Sequence, residues 1–233
     1  MRHCSKFANS DFCELNKSFC EVLITQALNK LISEMKSCRL CVTNPVKQGL
    51  PHEPRPVFQV SSKAKIAICG QAPGTKVHLS GRPFTDASGD RLREWMRIDE
   101  SVFYDPKSIA IIPMGFCFPG QTEKGADLPP RKECAAEWHD RLFSLLPQLE
   151  LILLVGKYSL AFHLKGHDIL GGYAKAPLYE TVENYKEFLK LDSNLLYLPL
   201  PHPSWRNNHW LKKNAWFEQD YLPVLRREIS KRL

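Results

Sequence analysis

The residues best suited to chemistry fall in three short segments rich in glycine and proline. They run from Gly70 to Phe84, from Gly115 to Gly120 and from His202 to Arg206. Glycine lets the backbone approach a ligand where a Cβ would clash, and the first and third segments add an amide, an aromatic ring and an imidazole. The pattern predicts a ligand site built from loops. For the first segment, an ordinary turn between a strand and a helix is the alternative.

Short apolar runs precede these segments and predict buried strands. The runs are Lys65–Cys69, Ile109–Met114, Leu151–Val155 and Leu195–Leu200. Helical patterns occupy residues 86–96, with Ser88 as the candidate N-cap, and residues 131–146, 157–164, 180–190 and 214–231. Four apolar strands separated by helices predict a three-layer α/β/α sandwich with a central four-stranded parallel sheet. Because the carboxyl ends of parallel strands share one edge, the three segments should converge on one crevice.

The part of the chain before the first strand is expected to be an appendage. Apolar residues recur at helical spacing from Asp11 to Met35, which predicts an amphipathic helix. A proline-rich arm, residues 44–57, excludes regular helix before the first strand. We therefore divide the chain into an N-terminal helical extension packed on the core, residues 1–36, and a single domain, residues 37–233.

Composition narrows the class of protein. The net charge of +7 and the pI near 9.0 favour a polyanionic partner such as nucleic acid. No apolar run is long enough to span a bilayer, and the first residues lack the apolar block of a secretory signal. We expect a cytoplasmic monomer without a membrane partner. Eight cysteines in such a chain indicate metal ligands, redox chemistry or buried thiols rather than a disulfide framework.

Three motifs, taken in order, resemble the uracil-DNA glycosylase superfamily. They are Gly70-Gln71-Ala72-Pro73-Gly74, Gly81-Arg82-Pro83-Phe84 and His202-Pro203-Ser204. The closest resemblance is to the iron–sulfur glycosylases called families 4 and 5, and it spans residues 37–230. It implies a uracil-DNA glycosylase-like fold and a DNA repair glycosylase that hydrolyses the N-glycosidic bond of a deaminated base, uracil or a related base.

The resemblance also implies roles for individual residues. The target base is flipped out of the DNA stack into a pocket, where Phe84 would stack on it and Gln71 would place water. His202 would stabilise the leaving base, which a neutral imidazole can do as a hydrogen-bond donor. Gln71 satisfying only loop backbone groups is the alternative. The other implied base-binding residues are Gly70, Ala72, Pro73, Gly74, Pro113 and Met114.

The segment after His202 mixes amides and cations with large apolar residues. Such a loop suits gripping phosphates while a side chain wedges into the duplex, and the wedge candidates are Trp205, Trp210 and Leu211. The alternative is that both tryptophans belong to the core and the lysines to a solvated face. The expected DNA contacts are Ser204, Trp205, Arg206, Asn207, Lys212 and Lys213.

A [4Fe–4S] cluster is implied by the same resemblance. Families 4 and 5 hold it with a Cys-x-x-Cys pair and two later cysteines, which correspond here to Cys38, Cys41, Cys117 and Cys134. Four thiolates are the ligand set that such a cluster needs, and its implied role is structural. Tetrahedral zinc and free thiols are the alternatives.

Two departures from the family pattern leave the substrate open. Where families 4 and 5 carry an Asn that reads uracil, this chain has Pro113 or Met114, and neither offers an amide. Residue 72 is Ala where the fastest uracil-DNA glycosylases have Asp. Asp86 and Asp90 are candidates to replace that acid, although such carboxylates more often cap a helix or pair with arginine. Hypoxanthine and xanthine become candidate bases. The alternative function is a catalytically weak or inactive DNA-binding module of the same fold.

Overall fold

The computed structural model describes residues 10–46, 48–191 and 193–233, with side chains described from residue 19 onward. Its centre is a sheet in the order β2-β1-β3-β4, in which all neighbouring strands are parallel. The strands are β1 (Ile66–Cys69), β2 (Ile109–Ile111), β3 (Leu151–Val155) and β4 (Leu196–Leu200). Every residue of β1, β2 and β3 is buried, as expected for a parallel sheet covered on both faces. The predicted four-stranded parallel sheet is confirmed.

Helices follow or flank each strand. They are α1 (Ser10–Lys36), α2 (Leu40–Thr43), α3 (Thr75–Ser80), α4 (Ala87–Met96), α5 (Glu100–Phe103), α6 (Lys132–Phe143), α7 (Lys157–His163), α8 (Leu178–Glu183), α9 (Tyr185–Leu189), α10 (Asn208–Lys213) and α11 (Leu222–Ser230). Single 3₁₀ turns occur at Gly171–Ala174 and Trp205–Asn207, and a π turn occurs at Phe217–Tyr221. Among the described residues, no helix combines the length and the apolar character needed to cross a membrane.

The two faces of the sheet are covered by separate apolar clusters. Alternate strand residues such as Ile66 and Ile68 pack with α4, the π turn and α11, while Ala67 and Cys69 pack with α1, α6 and α7. This alternation follows from the two-residue period of a strand. The three-layer α/β/α architecture is therefore confirmed. The second cluster includes Leu28, Leu31 and Met35 of α1, and the division of the chain at residue 36 stays a prediction.

Several predicted boundaries were wrong for identifiable local reasons. Strand β2 ends at Ile111 rather than Met114, because Pro113 has no N–H to add to a ladder. The helix predicted over residues 180–190 is split into α8 and α9 at Asn184. The helix predicted over residues 214–231 is a π turn followed by α11. Helix α3 was missed because it lies inside the first Gly/Pro segment.

Candidate functional site

A pocket opens at the carboxyl edge of the sheet, where the first and third predicted segments meet. The prediction that all three segments converge was wrong for the second, since no residue of Gly115–Gly120 lines the pocket. Its wall includes the whole first motif, residues 70–74, together with Phe84, Pro113 and His202. Met114 lies behind this wall: it is 4% exposed, and its amide donates to the carbonyl of Gly70 at 3.0 Å. Topology thus brings together the amide, the aromatic ring and the imidazole that the sequence singled out.

Phe84 is held in an unusual backbone conformation. Its φ of 53° lies in the left-handed region, which non-glycine residues rarely adopt and which costs about 1–3 kcal/mol. The hydroxyl of Tyr104 shares its one proton between the carbonyl oxygens of Pro83, at 2.9 Å, and Phe84, at 3.0 Å. The ring of Phe84 packs edge-on against Phe103, with centroids 6.0 Å apart. These contacts fix the ring at the pocket wall beside Gly70, where a Cβ would lie 3.5 Å from it.

The start of α4 packs directly against the backbone of Phe84. Asp86 is the N-cap of α4, and its side chain accepts a hydrogen bond from the amide of Gly89 at 3.2 Å. The prediction of Ser88 as the N-cap was therefore wrong, because Asp86 has the extended backbone that a cap requires. Ser88 lies inside the first turn of the helix and lines the pocket.

Two carboxylates face the pocket, and sequence reasoning identified one of them. Asp86 lines the pocket and also caps α4, whereas Asp90 forms an ion pair with Arg93. The second carboxylate is Asp127, which had not been predicted. A hairpin over residues 121–127 delivers it, and the amide of Gln121 donates to its Oδ1 at 3.0 Å.

A hydrogen bond to its backbone carbonyl holds His202 in place, and two carboxylates act on its imidazole. The amide of Asn207 donates to the His202 carbonyl at 2.6 Å, and Tyr179 donates to the Asn207 side chain at 2.7 Å. Burial lowers the pKa of His202 below its usual 6.5, and Asp86 and Asp127 act in the opposite direction. The imidazole is therefore neutral at pH 7, which is the form that donates one hydrogen bond and accepts another.

The loop after His202 exposes one tryptophan and packs the other. Trp205 is 73% exposed, and the guanidinium of Arg206 lies 5.6 Å from its ring centroid. Trp210 stacks on Tyr179 with centroids 4.7 Å apart and packs against the core together with Leu211. The core alternative thus holds for Trp210, and Trp205 is the wedge candidate that reaches solvent. Lys212 and Lys213 are exposed at the end of α10.

The four cysteines that the resemblance singled out line one cavity between α2, α6 and the loop after β2: Cys38, Cys41, Cys117 and Cys134. Burial raises the pKa of Cys41, and it raises that of Cys117 to about 12 and that of Cys134 further. Across the described ranges, no group of three or more His, Cys, Asp and Glu side chains is arranged to hold a metal ion.

Comparison with known families gives a direct match. A family model described as the uracil DNA glycosylase superfamily matches residues 57–226. The matched span contains all four strands and the three motif segments. Cys38 and Cys41 precede it, so the match does not bear on the cysteine cavity.

Proposed function

Because the chain belongs to the uracil DNA glycosylase superfamily, we propose that it is a DNA glycosylase that releases a deaminated base from DNA. The observation that carries this proposal is that Gln71, Phe84, Asp86 and His202 line the same pocket at the carboxyl edge of the sheet. In the proposed reaction the target base leaves the duplex stack and enters this pocket. There the ring of Phe84 offers it a stacking surface.

His202 acts on the leaving base. As the N-glycosidic bond breaks, its electron pair goes to the base, and negative charge develops there. A neutral imidazole already carries one N–H, so it donates a hydrogen bond to that charge without first taking up a proton. The half-buried position of His202 strengthens such an interaction, because solvent screens it less than at the surface.

Gln71 and Asp86 serve the attacking water. The Gln71 amide orients water but is a poor base, whereas the Asp86 carboxylate accepts a proton. One Asp86 oxygen, Oδ1, is bound to the amide of Gly89, which leaves Oδ2 for the water. The water oxygen bonds to C1′ of the sugar as the base departs, and the water proton passes to Asp86.

The pocket favours a broader substrate class than uracil alone. Pro113 lines the pocket and has no side-chain amide to read the edge of uracil, so we expect weaker selection of that one pyrimidine. We propose uracil, hypoxanthine and xanthine as the candidate bases. Beside the third motif the exposed side chains are Trp205, Arg206 and the lysines of α10. They would contact the DNA backbone and the gap that the flipped base leaves in the duplex.

A panel of oligonucleotides tests this function. Each carries one uracil, hypoxanthine or xanthine, and an undamaged strand of the same sequence serves as control. We expect an abasic site, revealed by strand cleavage in hot alkali, with at least one deaminated base and none with the control. DNA binding without abasic product for every base would instead identify a DNA-binding module.

The pH dependence of excision should report the neutral form of His202. Burial lowers its pKa below 6.5, so single-turnover rates should be constant at neutral pH and fall as the pH drops through a midpoint below 6.5. Asp127 raises this pKa, so Asp127→Asn should move the midpoint to lower pH. Asp90→Asn is the matched control, because Asp90 faces Arg93. Rates that increase on the acid side would contradict the role given to His202.

We further propose that Cys38, Cys41, Cys117 and Cys134 hold a [4Fe–4S] cluster. Their shared cavity supports this proposal, since four thiolates from separate elements are the donor set of such a cluster. Bound there, the cluster would supply a structural tie between the α2 region, α6 and the loop after β2. It has no part in the reaction steps above.

Loss of one thiol should remove the cluster and destabilise the chain. The parent protein is expected to absorb visible light and to contain about four iron and four sulfide per chain. Cys134→Ser should lose the colour and unfold at lower temperature, because metal binding contributes to folding free energy. Cys20→Ser, at an exposed position, is the control. A colourless parent protein that contains zinc would refute the cluster.

A further inference from the structure

The backbone after β2 forms one wall of the pocket and is bonded to the first motif. The amide of Met114 donates to the carbonyl of Gly70 at 3.0 Å. The amide of Gly115 donates to the carbonyl of Gln71 at 3.0 Å. The position of this wall therefore determines the position of the backbone that carries Gln71. Directly before the two donors lies Pro113, which lines the pocket and has no N–H of its own.

The carbonyl of Pro113 is held by a histidine on α6. Nε2 of His139 lies 3.1 Å from that oxygen, and the side chain is 0% exposed. A carbonyl oxygen only accepts hydrogen bonds, so Nε2 is the nitrogen that carries the proton. Burial lowers the pKa of His139 to about 4. The neutral ring with Nε2–H is therefore the form present at neutral pH.

The ring of His139 lies among other aromatic rings, and among the described residues its hydrogen bond to Pro113 is the only one it makes. The rings of Phe116, Phe143 and Phe162 lie 5.6, 5.8 and 5.0 Å from it. Its Nδ1 has no hydrogen-bond partner among the described residues, and an unpaired buried nitrogen costs free energy. Phenylalanine would fill the same space without that cost. The hydrogen bond to Pro113 is the contact that offsets it.

We propose that His139 is a positioning residue of the pocket. It holds the Pro113 wall and, through Met114 and Gly115, keeps the backbone of Gln71 in the geometry that base excision requires. Its effect on catalysis rests on the proposed glycosylase function, whereas its effect on the order of the loop does not. His139 is fully buried and reaches Pro113 from the core side of the loop, so DNA affinity should not depend on it.

Two substitutions at this position separate the hydrogen bond from the packing. His139→Phe keeps a ring in the aromatic site and removes the donor, whereas His139→Gln keeps an amide donor near the position of Nε2. We expect H139F to slow single-turnover excision by about 10-fold or more and to speed amide hydrogen exchange of Met114 and Gly115 by a similar factor. H139Q should remain within about three-fold of the parent in both. DNA affinity should stay the same in both variants.

His163→Phe is the matched control. The ring of His163 lies in the same cluster, 5.8 Å from His139 and 5.1 Å from Phe143, and its Nε2 has no hydrogen-bond partner in the described part of the chain. This variant should keep the parent rate and exchange. Should H139F not fold, His139→Asn replaces it, since its shorter amide stops near the position of Nδ1.

Three outcomes would overturn the proposal: H139F matching the parent in rate and exchange, H139Q as impaired as H139F, or H163F as impaired as H139F. If the parent protein releases no base while the exchange rates respond as expected, the glycosylase function fails and the positioning role of His139 stands. If excision occurs but neither the rate nor the exchange depends on the donor, the glycosylase function stands and the positioning role of His139 fails.

Discussion

Replacing His202 with alanine is expected to slow base excision by about 100- to 1,000-fold, which is the usual effect of removing one donor from a developing anion. The substitution removes the imidazole at the pocket wall and leaves the charge on the departing base without its partner. Measured as single-turnover rates at saturating enzyme, the loss should appear in the chemical step. DNA affinity should change little, because the exposed Trp205 and Arg206 remain in place.

The fold of His202→Ala should survive, which makes the result interpretable. Asn207 bonds to the backbone carbonyl of His202 rather than to the imidazole, and Tyr179 in turn bonds to Asn207. The loop therefore keeps these two hydrogen bonds when the imidazole is lost. His209→Ala, at an exposed position on α10 outside the pocket lining, is the control and should excise at the parent rate. A folded His202→Ala protein that excises normally would remove His202 from the mechanism.

The sheet and the meeting of the motifs could be predicted from sequence because they depend on strong, short-range signals. The apolar run Leu151–Val155 is β3 with the same bounds, because five consecutive apolar residues are typical of a strand that is buried on both faces. Once the strands are parallel, topology places Phe84 and His202 at one edge of the sheet without knowledge of any side-chain contact. The superfamily match covers the same span.

What escaped prediction depends on tertiary contacts. Asp127 reaches the pocket only because a hairpin folds back after Gly120, which has a φ of 95°. Gly120 before that hairpin and Gly125 within it signal a turn, but nothing in the local sequence shows where the end of the hairpin will point. His139 is similar: helical spacing places it on α6, and only the packed structure shows Pro113 opposite its ring.

The second large effect concerns the glycine beneath Phe84. A Cβ added at Gly89 would lie 1.9 Å from the carbonyl oxygen of Phe84 and 2.8 Å from its Cβ. Either the first turn of α4 or the backbone of Phe84 must move. We expect Gly89→Ala to lower the free energy of unfolding by about 2–4 kcal/mol. Excision should slow about 100-fold, since a misplacement of about 1 Å near the reacting groups has that effect.

Gly172→Ala is the matched control for this substitution. Nothing lies within 4 Å of an added Cβ at Gly172, and its φ is not in the left-handed region. Its stability, measured by urea unfolding, should change by less than about 0.5 kcal/mol, and its excision rate should match the parent. A Gly89→Ala protein with the stability and the excision rate of the parent would show that α4 does not hold the backbone of Phe84 in place.

A double substitution shows whether the loss of activity acts through the stacking ring. Phe84→Ala alone should remove the stacking contribution, about 1–3 kcal/mol per base. If Gly89→Ala slows excision by displacing Phe84, then adding it to Phe84→Ala should cost little more, because two changes that remove one interaction are not additive. Additive losses would instead place the effect of Gly89→Ala on Asp86, whose carboxylate accepts the hydrogen bond from the amide of Gly89 and is the proposed base.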